Sequence, residues 1–452
     1  MDPSPAPSAD GARAGGAVRR VARVLPAGTG TVGVWVGVSG VLAYVFLAAT
    51  GRALGASAAS GLSTLWVVGF LVGNACGLPV EQEVSRAIAS RRAQGEGVGP
   101  VIRRAAGAAG VFTVAVDVVI LATGQVLADE LFGGSWALVI ALVVLFTATM
   151  LEYLVRGVLA GEARFNAYGR LLGVEAGSRV VVVLVLIALG IHSADAYAAV
   201  LAVAPFIGIA AALAGSDGAV VRQAGPESSW REVSRALGWL LAASVLAQVL
   251  VNIAPVLVRL LEPDDSDLVS AFVASLIVAR VPVFLFQAAQ AALVPRLSHH
   301  AGGGRGSALA AETRALVLAL IVLVVVAAAG AWLLGPTVVE IGWGPDFALS
   351  GGDMAVLAAA SCVYLLAVTF ASALIALERP NRVSFGWAAG VIVLLAGVAV
   401  GSDTLERVEF GFLAGTVAAS LAMAALVRGP MRDARRDLRN TAPVPEPGEG
   451  PR

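Results

Sequence analysis

The 452 residues are 58% hydrophobic and only 14% charged, with a mean hydropathy of +0.85. A water-soluble chain needs a polar surface and cannot hide so much apolar side chain, whereas a chain bathed in lipid can be apolar outside as well. Acidic and basic residues balance at 31 each and every base is Arg, so charge carries meaning only once it is placed along the chain, and no nucleic-acid partner is expected.

A helix needs about 20 apolar residues to cross the hydrocarbon of a bilayer. Runs of that length fall near 31–50, 61–80, 105–127, 136–159, 169–191 and 196–214. After a polar connector they resume near 236–258, 268–293, 313–335, 353–376, 383–400 and 410–427. The fold class is therefore all-α, a polytopic membrane protein of about twelve spans. Residues 1–29 and 428–452 read as tails, 30–214 as a first six-helix half, 215–235 as a connector and 236–427 as a second half.

Alternate loops, starting with the N-terminal tail, hold 26 of the 31 arginines. The opposite set holds only Arg52, Arg259 and Arg407, and it is acidic, with Asp129, Glu130, Glu262, Asp264, Asp265, Asp267, Glu340 and Asp346. Cytoplasmic loops carry the positive excess, so both termini are expected in the cytoplasm of a bacterial inner-membrane protein. Trp66, Trp136, Trp332 and Trp343 fall near the outer ends, and Trp35, Trp239 and Trp387 near the inner ends, as an interfacial belt would place them.

Cys76 and Cys362 sit in apolar runs and read as small buried hydrophobes; no ligand spacing argues for a metal, and no cofactor is expected. The loop "SHHAGGGRG" lacks a Walker pattern and a strand-turn-helix setting, which excludes nucleotide binding there.

Similar local sequence recurs in the two halves. Pro79 in "GLPVEQEVSRAIA" and Pro295 in "ALVPRLSHHA" are 216 residues apart, as are Glu162 in "LAGEARFNAYG" and Glu378 in "LIALERPNRVSFG". Six spans per half make the repeats parallel, which suits a transporter whose halves rock about a central site.

At these segments the chain resembles the multidrug/oligosaccharidyl-lipid/polysaccharide exporter superfamily, and within it the polysaccharide flippases. The resemblance rests on "PVEQEVSRAIASRR", "ARVPVFLFQAAQAALVPRLS" and "GEARFNAYGR". It implies a MATE-like V-shaped bundle that moves an undecaprenyl-pyrophosphate-linked oligosaccharide from the inner to the outer leaflet. Its implied partners are that polyprenyl-linked saccharide, membrane lipids, and glycosyltransferases and polymerase of the same pathway. Arg280-Val281-Pro282 also looks like a lipid II flippase feature, but the first span lacks the Arg-Asp pair that such proteins carry.

Charges inside spans are costly and usually face a cavity or a partner. Arg280 offers a planar donor fork to a pyrophosphate, or pairs with an acid on another helix. Glu175 and Arg179, four apart, pair on one helical face or line the cavity. Asp117 pairs with Arg280 or Arg179, or takes up a proton. Glu152 pairs with Arg156 at the same four-residue spacing. Gln248, Asn252, Gln287 and Gln290 contact sugar hydroxyls or bond between helices. Pro205, Pro255 and Pro282 are expected to kink their spans. Gly69, Gly73 and Gly77 predict close helix packing.

The leading reading is a lipid-linked oligosaccharide flippase working by alternating access, and not an enzyme. The alternative is a proton- or sodium-coupled multidrug antiporter. A membrane glycosyltransferase or ligase ranks third, because the outer loops are short.

Overall fold

The structure, a computed structural model, describes residues 29–214, 223–226, 230–283, 306–376, 379–401 and 403–440. Among them are thirteen α-helices: α1 (Thr29–Leu54), α2 (Ala56–Ala93), α3 (Gly99–Ala122), α4 (Gly124–Leu131), α5 (Trp136–Gly161), α6 (Phe165–Ala188), α7 (Ala194–Leu213), α8 (Trp230–Leu261), α9 (Ser266–Ala279), α10 (Gly306–Gly342), α11 (Gly351–Ala376), α12 (Pro380–Val398) and α13 (Thr404–Asn440). Twelve spans are long and apolar enough to cross a membrane, α9 counting together with the helical residues that continue it to Val283; α4 is too short. Helices suit this setting because each satisfies its own backbone groups where water is absent. Large apolar side chains cover the outside, with Val325 66% and Trp332 60% exposed on α10, as a lipid-facing surface requires. The chain is a multi-pass membrane protein.

In the first half α1 packs on α6, α5 on α2, α3 and α7, and α6 on α7. In the second half α8 packs on α12, α11 on α9, α10 and α13, and α12 on α13. These are the same partnerships six spans later, so the internal repeat holds in the packing. Pro295 and Glu378, which suggested it, lie outside the described residues.

The halves meet where α2 lies against α8 and α9. Among the described residues, the hydrogen bonds that join them sit at the acidic end of the bundle. Ser270 Oγ donates to the Ala56 carbonyl at 2.5 Å, and Arg259 Nε to the Glu130 carbonyl at 3.2 Å. Arg259 is buried, and its Nη1 also reaches the Pro263 carbonyl and the Ser266 hydroxyl. At the arginine-rich end, Arg91 instead ties α2 to the connector through the Pro226 carbonyl.

Gly69, Gly73 and Gly77 face Leu145, Thr149 and Tyr153 on α5, residue for residue at four-residue spacing. A methyl at Gly73 would come within 2.9 Å of Thr149, and one at Gly77 would overlap the Tyr153 ring. Gly157 and Gly161 return the fit from α5 against Glu81 and Ile88 of α2. Absent side chains let the two backbones approach, which is how small residues replace the hydrophobic effect between helices in lipid.

Three expectations change. Trp66, Trp343 and Trp387 are buried against protein and do not face lipid; Trp66 stacks on Phe46 at 5.8 Å and Trp387 against Tyr364 at 5.3 Å. Trp136 and Trp332 remain exposed, while the Trp239 side chain lies outside the described residues. Pro282 lies beside a break and not within an unbroken helix: α9 ends at Ala279, Arg280 forms a turn, and helix resumes over 281–283 with Pro282 in its first turn, where a missing N–H is tolerated. Helix ends also outrun the apolar runs, since polar residues continue α2 to Ala93 and α13 to Asn440.

Candidate functional site

The interior of the first half holds a polar network built from α2, α5 and α6. Arg156 of α5 is its pivot. Its Nη2 lies 3.0 Å from Glu81 of α2, its Nη1 3.5 Å from Glu152 one turn earlier, and its Nε donates to the Tyr168 hydroxyl of α6 at 2.9 Å. Tyr168 in turn donates to Glu81 at 2.7 Å, closing a ring of three groups from three helices. The Arg156 guanidinium also lies over the Tyr153 ring, 4.4 Å from its centre, a contact worth most where water is excluded. The Tyr153 hydroxyl donates to Asn74 of α2. Tyr153 can lie so close to α2 because Gly77 has no side chain.

Glu175 and Arg179 pair one turn apart on α6, as their spacing predicts. Arg179 lies over the rings of Trp66 and Phe46, at 5.4 and 5.9 Å, and its buried Nε has no hydrogen-bond partner. The charges of Glu175 and Arg179 both act on Glu152, which joins this pair to the Arg156 group. Three carboxylates thus share two guanidinium groups. One negative charge is left for a proton or a cation to balance, because an unpaired ion in a dry interior is costly.

A second cluster lies in the second half and is basic. Pro255 of α8 has no N–H, so the carbonyl four residues earlier, Val251, loses its helical donor. Arg280 supplies the missing hydrogen bond through Nη2, and its Nη1 donates to Asn252 Oδ1 at 2.9 Å. Asn252 then donates to Gln248 at 2.8 Å, one turn back. Pro255 therefore does more than bend α8: it creates the acceptor that seats Arg280. The ion-pair alternative for Arg280 is not met, since among the described residues no carboxylate contacts it. Its electrostatic neighbours are Tyr364 of α11 and, across from the first half, Tyr44 of α1. The buried Nε carries an N–H with no acceptor.

Asp117 joins neither arginine. Its Oδ2 accepts a hydrogen bond from Thr147 of α5 at 2.7 Å, while Oδ1 is buried without a hydrogen-bond partner. This places it between α3 and α5, within the first half. Pro205 lies inside α7 and is buried. Gln287 and Gln290 lie outside the described residues.

No family model matches the chain, and no curated protein does. Solved structures do. An inward-facing multidrug resistance MATE family transporter of the MOP superfamily superposes with a TM-score of 0.68 at 16% identity, over 88% of this chain and 96% of that one. The fold is that of the MATE transporters. The Vibrio cholerae MATE transporter VcmN in its bent form matches at 0.59 and 16% identity, over 89% and 96% of the two chains. The MATE transporter ClbM in complex with Rb+ matches at 0.58 and 18%, over 90% and 96%.

Within this MATE fold, the residues that sequence reasoning passed over are Asn74, Glu81, Tyr153, Tyr168, Val251 and Glu409. Val251 was within reach, because a proline inside a helix always frees the carbonyl four residues earlier. Asn74, Glu81, Tyr153 and Tyr168 meet partners from different helices and leave no local spacing signal, and the buried Oε1 of Glu409 meets no hydrogen-bond partner among the described residues.

Proposed function

We propose that the chain is a secondary transporter that exports organic cations in exchange for protons, its halves alternating in access about the seam. The acid-rich network of the first half carries this reading: Glu81, Glu152 and Glu175 share Arg156 and Arg179, leaving a place for one proton. The likeness in fold to multidrug resistance transporters supports it. So does the bonding of the halves at the acidic end, which suits a state closed on that side. The arginine-rich end and both termini face the cytoplasm of a bacterial inner membrane, in keeping with the positive-inside rule.

A second reading keeps the architecture and changes the cargo to a polyprenyl-pyrophosphate-linked saccharide, as the flippase resemblance implies. Arg280 favours it, because a guanidinium with no acidic partner and an unused N–H suits a pyrophosphate. Glycosyltransferases and a polymerase would then be pathway partners.

Purified protein in proteoliposomes tests the two directly. Under an imposed pH gradient the vesicles are expected to move a fluorescent organic cation against its gradient. Parallel vesicles holding a polyprenyl-pyrophosphate saccharide are expected to show no accelerated flipping. The reverse pair of results overturns the antiport reading in favour of the second.

A further inference from the structure

We infer that Glu409 is a proton-binding site in the second half, entered from the acidic end and separate from the network around Glu152. Its use in transport rests on the proton-exchange reading above; its capacity to bind a proton does not. Glu409 is the sixth residue of α13 and is only 2% exposed, and its buried Oε1 has no hydrogen-bond partner. The groups whose charges reach it are Asp353 at the start of α11, and Asp403 and Glu406 on its own segment. All are acidic, and no guanidinium is among them.

The other helices packed on α13 bring no relief. Arg379 and Arg382 of α12 lie at its opposite end, and no titratable group of α8 or α10 reaches Glu409. Arg407 turns its Nε to the Val398 carbonyl at 2.8 Å, and Glu262 of α8 accepts from Thr404 at 2.7 Å. Two of the acidic neighbours also have structural tasks. Asp353 accepts the Ser350 N–H at 3.1 Å while its own N–H donates to Ser350 Oγ, and Asp403 caps α13 by accepting the Glu406 N–H at 2.9 Å. Glu409 has no such task.

A buried carboxylate in the field of three other acids, without a cation, is relieved most simply by a proton: carboxylate and hydronium become carboxyl and water. Among the described residues no group of three or more carboxylate, imidazole or thiol side chains is arranged to hold a metal ion. Asp403 and Glu406 are exposed, and Glu406 is about one turn from Glu409 on the same helix, so solvent-exposed carboxylates lie next to the buried one.

Infrared difference spectroscopy of the full-length protein, titrated with pH in H2O and D2O without cargo, tests this. The protein is expected to show a protonated-carboxyl C=O band that shifts in D2O and vanishes as pH rises. Glu409→Gln should remove one carboxyl's share of that band, and Glu152→Gln should leave that share in place. Asp353→Asn should retain it and move its midpoint to lower pH. A band unchanged in Glu409→Gln overturns the proposal, as does a midpoint that shifts with sodium concentration. If Glu409→Gln does not fold, an unmoved midpoint in Asp353→Asn overturns it. Because no transport is measured, failure of the exchange reading would leave these results standing.

Discussion

Arg156→Ala is expected to be among the most destabilising single changes in the first half. It strands Glu81 and Glu152, takes the acceptor role from no one but removes the donor that holds Tyr168, and uncovers the Tyr153 ring. Removing one partner of a buried ion pair costs about 3–5 kcal/mol, because the other charge stays buried and uncompensated. Neutralising the whole group should cost far less, since replacing buried ion pairs by neutral residues of similar volume is often close to neutral. Arg156→Met combined with Glu81→Gln and Glu152→Gln is therefore expected to recover most of the loss. Thermal denaturation in detergent reads both variants. A single variant as stable as the parent would show that the network does not hold α2, α5 and α6 together.

Arg280→Gln is expected to strengthen binding of organic cations. A unit positive charge about 8 Å from a bound cation, at an effective dielectric constant of about 20, opposes it by about 2 kcal/mol, roughly thirtyfold in Kd. The variant keeps a hydrogen-bonding side chain for Asn252 and Val251, so the fold should survive. Pro255→Ala keeps that positive charge and should change cation affinity far less. It returns a donor to the Val251 carbonyl, and the competition unseats one arm of Arg280. Stability should change little, because the helix gains about 3 kcal/mol on losing an interior proline and gives up a charge-assisted hydrogen bond of about 1.5–3 kcal/mol. Cation binding measured by fluorescence quenching checks both. If Arg280→Gln instead weakens cation binding, Arg280 does not face the cargo as a free positive charge.

Much of the architecture was legible because lipid imposes one rule, about 20 apolar residues per span, and the chain obeys it twelve times. The span ends were less legible. The polar residues after Val80 continue α2 as a helix beyond the apolar run, and α13 begins at Thr404, six residues before its apolar run. That early start is what buries Glu409, which the sequence had placed in a loop.

The site divides the same way. Glu152 with Arg156 and Glu175 with Arg179 were readable, because a four-residue spacing puts both members on one face. Glu81 and Tyr168 were not, because they reach Arg156 from other helices and only the packing of α2 and α6 on α5 brings them there. Gly69, Gly73 and Gly77 form the link between the two kinds of signal: a local stripe whose consequence, the approach of Tyr153 to Asn74, is tertiary.

The central claim is that the excess carboxylate of the first half exchanges a proton for the cargo. Its most direct test is a pH-sensitive dye sealed inside proteoliposomes that start without a pH gradient. Adding an organic cation to one side should drive protons to that side through the native protein, and Glu152→Gln should abolish the dye signal while the vesicles still bind the cation. A proton signal of full size in Glu152→Gln, or none in the native protein as it moves the cation, would contradict the account.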